Sequence, residues 1–188
     1  MVTPPPACPP KVGPIGPKAG GGVTPVVAYV ALGSNQGTRL SHLKSGRTLL
    51  QGCPRIRVVS VSSVYQSSPL GGVRQRNFLN AVVKIRTGFS PFGLLFFLKW
   101  IETRCGRKPG KRWGPRPLDL DLIFYGRTGI SHPFLRVPHP LFRDRLFVLE
   151  PFKEVLDKAS SRAEPGLNRR IAFLKAQGQN VTLYRSRW

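Results

Sequence analysis

Residues 118–125 read Leu118-Asp119-Leu120-Asp121-Leu122-Ile123-Phe124-Tyr125. Strict alternation of leucine and aspartate is the period of a β-strand, where successive side chains point to opposite faces. The leucines then take one face and enter a core, and both carboxylates share the other. Two like charges about 6–7 Å apart on one face repel unless something neutralises them. One answer is a hard divalent cation, typically magnesium with substrate phosphates completing its shell. The other is a solvated strand face paired with arginines. The preceding segment, Lys111-Arg112-Trp113-Gly114-Pro115-Arg116-Pro117, crowds cations beside the acid pair. Arginine forks bind phosphate oxygens in pairs, so the joint pattern reads as a polyphosphate site.

Working outward from this strand, residues 26–32 form an apolar run that ends at Gly33-Ser34-Asn35, a buried strand and its turn. A helix follows from a Thr38 cap to Gly52, weakened by Gly46. Strands are expected over 55–65 and 78–85. Ser90-Pro91 opens a helix with serine as cap and proline in the first turn, running to about Cys105. Residues 106–117 and 126–146 read as loops, 168–177 as a short helix and 181–184 as a last strand. The order β-α-β-β-α-β predicts an α+β, ferredoxin-like antiparallel sheet with helices packed on one face. Residues 1–22 hold seven prolines and five glycines, which predicts a disordered tail before a single domain over 23–188.

The chain has 188 residues, with 30 Lys and Arg against eight Asp and Glu, a formal net charge of +22. The first 101 residues carry twelve basic side chains and no acid. Such a chain attracts polyanions, whether phosphorylated small molecules, nucleic acid or an anionic membrane surface. The longest apolar stretch, residues 92–98, has seven residues, far short of the roughly 20 of a membrane span. Three cysteines without a CxxC pair argue against a disulfide framework or zinc site and point to the cytoplasm. Gly106-x-x-x-Gly110-Lys111 is not a Walker A loop, because it has one residue too few and Arg112 stands in place of Ser or Thr. Phosphate must therefore be held by side chains and metal.

Several blocks carry a family resemblance: residues 29–35 (Tyr29 to Asn35), 62–71 (Ser62-Ser63-Val64-Tyr65-Gln66-Ser67-Ser68-Pro69-Leu70-Gly71), Gln75 with Phe78-Leu79-Asn80, Glu102, the run from Arg112 to Asp121, Val137-Pro138-His139-Pro140, and Arg145 with Phe147-Val148-Leu149. The chain resembles the 6-hydroxymethyl-7,8-dihydropterin pyrophosphokinases of folate biosynthesis over residues 26–155. The resemblance implies transfer of pyrophosphate from ATP to the pterin hydroxymethyl group, with release of AMP and two magnesium ions held by Asp119 and Asp121. It implies that Arg107 and Arg116 close over the phosphates as catalytic residues. Lys99, Glu102, Trp113, Leu122, His139 and Arg145 are implied around ATP. Ser67, Pro69, Leu70, Phe78, Asn80 and Phe147 are implied around the pterin, with the two phenyl rings stacked on its faces. Its partners would be these small molecules, with no sequence-specific nucleic acid and no membrane, and its oligomeric state is left open. Composition alone equally suits a basic RNA- or ribosome-associated protein, and a degenerate homologue could bind pterin without turnover.

Overall fold

The computed structural model describes residues 24–69, 75–108, 114–156 and 166–188. Its elements run β1 (Val26–Ser34), α1 (Arg39–Gln51), β2 (Ile56–Val61), β3 (Val64–Ser67), β4 (Phe78–Thr87), α2 (Pro91–Arg104), β5 (Asp119–Tyr125), β6 (Ile130–His132), β7 (Leu135–Val137), a 3-10 turn (Phe142–Asp144), α3 (Leu146–Val155), α4 (Leu167–Ala176) and β8 (Val181–Arg185). The main sheet is ordered β5-β1-β4-β3-β8, with β2 also on β4, and every pairing is antiparallel. With β2 and β3 counted as one interrupted strand, the first four strands take the ferredoxin-like order, the fourth beside the first and the third between first and second. No helix among the described residues is long and apolar enough to cross a membrane.

The central strand β1 is apolar on both faces because both are covered. On one face Ala28, Val30 and Leu32 join Leu43 and Leu50 of α1 and Leu94, Leu98 and Ile101 of α2. On the other, Tyr29 and Val82 meet Leu149, Phe152 and Val155 of α3 and Ile171 and Leu174 of α4. Helices on one face only, as the element order predicts, is therefore corrected to helices on both. A bulge in β5 makes the second layer possible. Tyr29 pairs with Phe124 but Val30 pairs with Leu122, so Ile123 is the extra residue. Ile123 and Phe124 thus both turn toward α3, where the Phe124 ring stacks on Phe152 with centroids 5.4 Å apart. Ile123, 1% exposed, contributes about 1.5–3 kcal/mol by its burial.

Other expectations change in detail. Ser90 caps α2 by accepting from the Gly93 N–H at 3.1 Å, whereas the Thr38 side chain makes no capping bond to α1. The strand expected over 55–65 is two, broken at Ser62-Ser63, where the Ser62 Oγ accepts from the Val82 N–H at 2.9 Å. The expected loop over 126–146 contains the hairpin β6–β7 and the 3-10 turn. Helix α3 has no counterpart in the sequence reading. It carries Pro151 inside and no side-chain cap at Arg145, and tertiary burial of six of its residues overrides both defects. Gly46 also has its reason: a Cβ there would lie 2.8 Å from Leu118 Cδ2, so glycine lets α1 approach the entry to β5.

Candidate active site

Three strand ends converge where β1 finishes. Gly33 lies opposite Asn80 of β4 on one side and Asp119 of β5 on the other. A Cβ on Gly33 would sit 3.6 Å from Asn80 Oδ1 and 3.9 Å from Asp119 Cβ. One glycine thus separates a buried amide from an acid. Asp121 pairs with Ala31, so both carboxylates lie on the α3 face, while Leu118, Leu120 and Leu122 are in the opposite core.

The acids are not left to repel each other. Asp119 Oδ1 accepts from Arg107 at 2.5 Å and Oδ2 from Arg116 at 2.8 Å. Burial would raise the Asp119 pKa, but Arg116, Arg107 and Lys99 outweigh it and hold the carboxyl below its usual range. Glu102, 2 % exposed, is the hub behind them. Its Oε2 accepts from Arg107 at 2.6 Å, and its Oε1 accepts from Lys99 Nζ and from the Leu120 N–H, each at 2.7 Å. Burial pushes the Glu102 carboxyl up, against the pull of Lys99 and Leu120. Lys99 also donates to the Leu120 carbonyl at 3.2 Å, which ties α2 to β5.

Asp121 is held more loosely, with Arg145 Nη1 at 3.9 Å from its Oδ2. The Arg145 guanidinium lies 5.8 Å from the centroid of the Phe147 ring. His139 is fixed by its N–H to the Ile123 carbonyl at 3.0 Å, and its Nδ1 accepts from the Leu141 N–H at 3.2 Å. With Nδ1 an acceptor, the neutral ring carries its proton on Nε2, free to donate. Burial, helped by Arg145, lowers the His139 pKa against the opposing pull of Asp121, which keeps the ring neutral. Burial, with Glu102 nearby, raises the Cys105 thiol to about 11, so no thiolate nucleophile stands here.

On the adjoining strands Asn80, 4 % exposed, donates from Nδ2 to Ser67 Oγ at 3.0 Å, and Ser67 pairs with Phe78. Phe78 and Asn80 share the face of Val82, and Phe147 in the first turn of α3 packs against that same cluster. Pro69 follows the end of β3, half-buried.

The structure therefore gathers Lys99, Glu102, Arg107, Arg116, Asp119, Asp121, His139 and Arg145 at one strand end, with Ser67, Asn80 and Phe78 on the neighbouring strands. Leu122 stands apart, its side chain 3 % exposed in the opposite core. Leu70 and Trp113 lie outside the described residues. Sequence reasoning gave no role to Asn35, which is 2 % exposed and holds both flanking segments. Its Oδ1 accepts from the Arg116 N–H at 2.8 Å, its own N–H donates to the Arg116 carbonyl at 3.2 Å, and its Nδ2 donates to Gln75 Oε1 at 2.8 Å. A buried asparagine just past a strand was the available signal.

Two carboxylates on one strand face suit magnesium, which takes oxygen ligands, keeps several waters and relies on substrate phosphates. Among the described residues no group of three or more His, Cys, Asp or Glu could hold a metal by itself. Three carboxylates, four cations and a neutral imidazole define the class of site: a charged strand end in which cations outnumber carboxylates.

Comparison with known proteins narrows the class. Residues 29–157 match the family profile "7,8-dihydro-6-hydroxymethylpterin-pyrophosphokinase (HPPK)". The 2-amino-4-hydroxy-6-hydroxymethyldihydropteridine pyrophosphokinase of Bacillus subtilis is 42% identical over 137 residues, 73% of this chain and 82% of its own length. The enzyme of the same name from Haemophilus influenzae is 40% identical over 130 residues, 69% of this chain and 81% of its own. Among solved structures, an HPPK-DHPS crystallised with substrates superposes with a TM-score of 0.58 at 12% identity. That match covers 81% of this chain, which spans 44% of the HPPK-DHPS chain, and it establishes the fold alone. This chain belongs to the 7,8-dihydro-6-hydroxymethylpterin-pyrophosphokinase family.

Proposed function

We propose that this protein transfers the terminal pyrophosphoryl group of ATP to the hydroxymethyl oxygen of 6-hydroxymethyl-7,8-dihydropterin, in the synthesis of folate. The hydroxyl oxygen bonds to the β-phosphorus, the bond from that phosphorus to the α-phosphate oxygen breaks, the hydroxyl proton is lost and AMP leaves. The observation that carries this reading is the single glycine, Gly33, between Asn80 and Asp119. On this reading the flat polar heterocycle lies on the Asn80 side of that glycine and the polyphosphate on the Asp119 side.

Asn80 and Ser67 supply amide and hydroxyl groups for the edge of the pterin, and Phe78 and Phe147 supply rings for its faces. Asp119 and Asp121 would hold magnesium, which neutralises phosphate charge and polarises the attacked phosphorus when bound. Arg107 and Arg116 both pair with Asp119. When ATP is present their forks exchange the carboxylate for phosphate oxygens and stabilise charge that builds on the transferring group. His139 donates from Nε2, and Arg145 brings a further cation beside Asp121. Glu102 keeps Arg107 and Lys99 in place. Catalysis is thus positioning and charge neutralisation rather than a covalent intermediate.

The test is release of AMP from ATP with magnesium, with and without the pterin. Pterin-dependent AMP supports the reading, and ADP as product, or nucleotide turnover indifferent to pterin, overturns it.

A further inference from the structure

The end of the sheet opposite the active site carries a different charge pattern. There β2, β4 and β1 lie side by side, and the register places Arg57 opposite Arg86 and Arg86 opposite Val27. The Val27 carbonyl accepts from the Gly126 N–H at 2.7 Å, which sets Arg127 at the end of the same row. Arg55 anchors the row's near side, its guanidinium 4.2 Å from the Phe89 ring centroid and donating to the Gly88 carbonyl at 2.5 Å. Arg55, Arg57, Arg86 and Arg127 are all exposed.

Residues directly opposite on antiparallel strands share a face, so the Arg57 and Arg86 side chains stand about 5 Å apart at Cβ. Like charges so placed cost stability unless an anion bridges them. None of the acids among the described residues does so. Glu102, Asp119, Asp121 and Asp144 pair with cations elsewhere, Glu150 pairs with Lys175, and Glu154 accepts from Tyr65 and the Ser63 N–H. Residues 157–165, outside the described set, hold two acids and two bases and add no net charge. The exposed cations of the row are arginines throughout, the residue whose planar fork matches phosphate in pairs. Rigid strands space them across about three strand widths, near 10–15 Å. A membrane surface would ask for a broad apolar face beside the bases. Val59, on the β2 bulge, is the large hydrophobe of β2 and β4 exposed among the described residues, and it is a single side chain.

We propose that this arginine row is a docking surface for the phosphate backbone of single-stranded nucleic acid, without sequence preference and separate from the pyrophosphokinase site. Phosphates would bridge Arg57 and Arg86 and relieve the like-charge contact.

The experiment measures anisotropy of a labelled 20-nucleotide single-stranded RNA with the full chain, over a range of potassium chloride. Three proteins are compared: wild type, Arg57→Gln with Arg86→Gln, and a control, Arg169→Gln with Arg185→Gln, which removes the same charge elsewhere. The row variant is expected to bind about tenfold or more weakly at low salt, and its slope of log K against log salt to fall by about 1.4, two phosphate contacts at 0.7 each. The control should change about twofold or less, and pterin-dependent turnover of the row variant should match wild type. A melting temperature at or above wild type in the row variant certifies its fold, and Arg57→Lys with Arg86→Lys should retain most of the binding. Equal loss in row and control variants would show diffuse charge and overturn the proposal. So would no RNA binding by wild type, or row-dependent binding to phosphatidylserine vesicles in place of RNA.

Discussion

Replacing Asp119 by asparagine and Asp121 by asparagine should have the same effect on activity and unequal consequences for stability. Read from the sequence, the two carboxylates are a repulsive pair, and removing either charge would relieve the strand. The structure reverses this for Asp119, which accepts from Arg107 at 2.5 Å and from Arg116 at 2.8 Å. A desolvated bond to a charged group contributes about 1.5–3 kcal/mol. These side chains are 19–30% exposed, so solvent screens part of each contact, and asparagine keeps one acceptor oxygen. A net loss of about 2 kcal/mol is expected for Asp119→Asn, which at 2–4 °C per kcal/mol lowers the melting temperature by about 4–8 °C. Asp121, with its arginine at 3.9 Å, should change by about 0.5 kcal/mol or less. Because arginines depress the folded pKa of Asp119, its stabilisation exists above the ordinary carboxylate range and is lost as pH falls through the lower folded value. The gap between wild type and Asp119→Asn should therefore close in acid, below about pH 4. Thermal melts followed by circular dichroism across pH decide the matter. An Asp119→Asn protein as stable as wild type at neutral pH would refute the arginine-clamp account.

Arg107→Ala should cost about tenfold or more in turnover but about threefold or less in nucleotide affinity, because in the proposed mechanism it acts only once it leaves Asp119 for phosphate. Equal losses in both would contradict that, as read from single-turnover and binding data. Glu102→Ala, which strands Arg107, Lys99 and the Leu120 N–H, should destabilise by about 3–5 kcal/mol, against about half that for Glu102→Gln, by denaturant titration. Turnover should stay level through the ordinary imidazole range near pH 6.5 and fall only below it, because His139 is held neutral. A break at or above that value that disappears in His139→Gln would show that burial does not hold the ring neutral. Gly46→Ala gains about 1 kcal/mol of helix propensity, yet its Cβ would meet the fully buried Leu118 at 2.8 Å, so net destabilisation is expected, and a raised melting temperature would show that Leu118 can yield.

The acid pair shows both the reach and the limit of the sequence. Alternation at 118–122 places Asp119 and Asp121 on one face, and the structure agrees. Alternation says nothing of partners, and the arginines on Asp119 come from positions 107 and 116 through loop paths with no periodicity to read. The Ile123 bulge was equally hidden, since it changes face inside an unbroken apolar run, and with it went the second helical layer. Helix α3 failed local rules, with proline inside and no cap, and exists because Phe152 and Leu149 fill the space over Tyr29. Gly46 looked like a flaw in α1 until Leu118 appeared against it. In each case the local signal was sound and a contact distant in sequence decided the outcome.

The central claim, that one strand end joins a pterin pocket to a polyphosphate site, is tested most directly by following label from ATP carrying radioactive phosphorus at the β-position. With magnesium and 6-hydroxymethyl-7,8-dihydropterin, the label should move to a pterin diphosphate while unlabelled AMP accumulates in equal amount. Asp119→Asn and Asp121→Asn should each abolish most of that transfer. Label that stays with the nucleotide as ADP, or transfer at near wild-type rates in both variants at ordinary magnesium, would contradict the account.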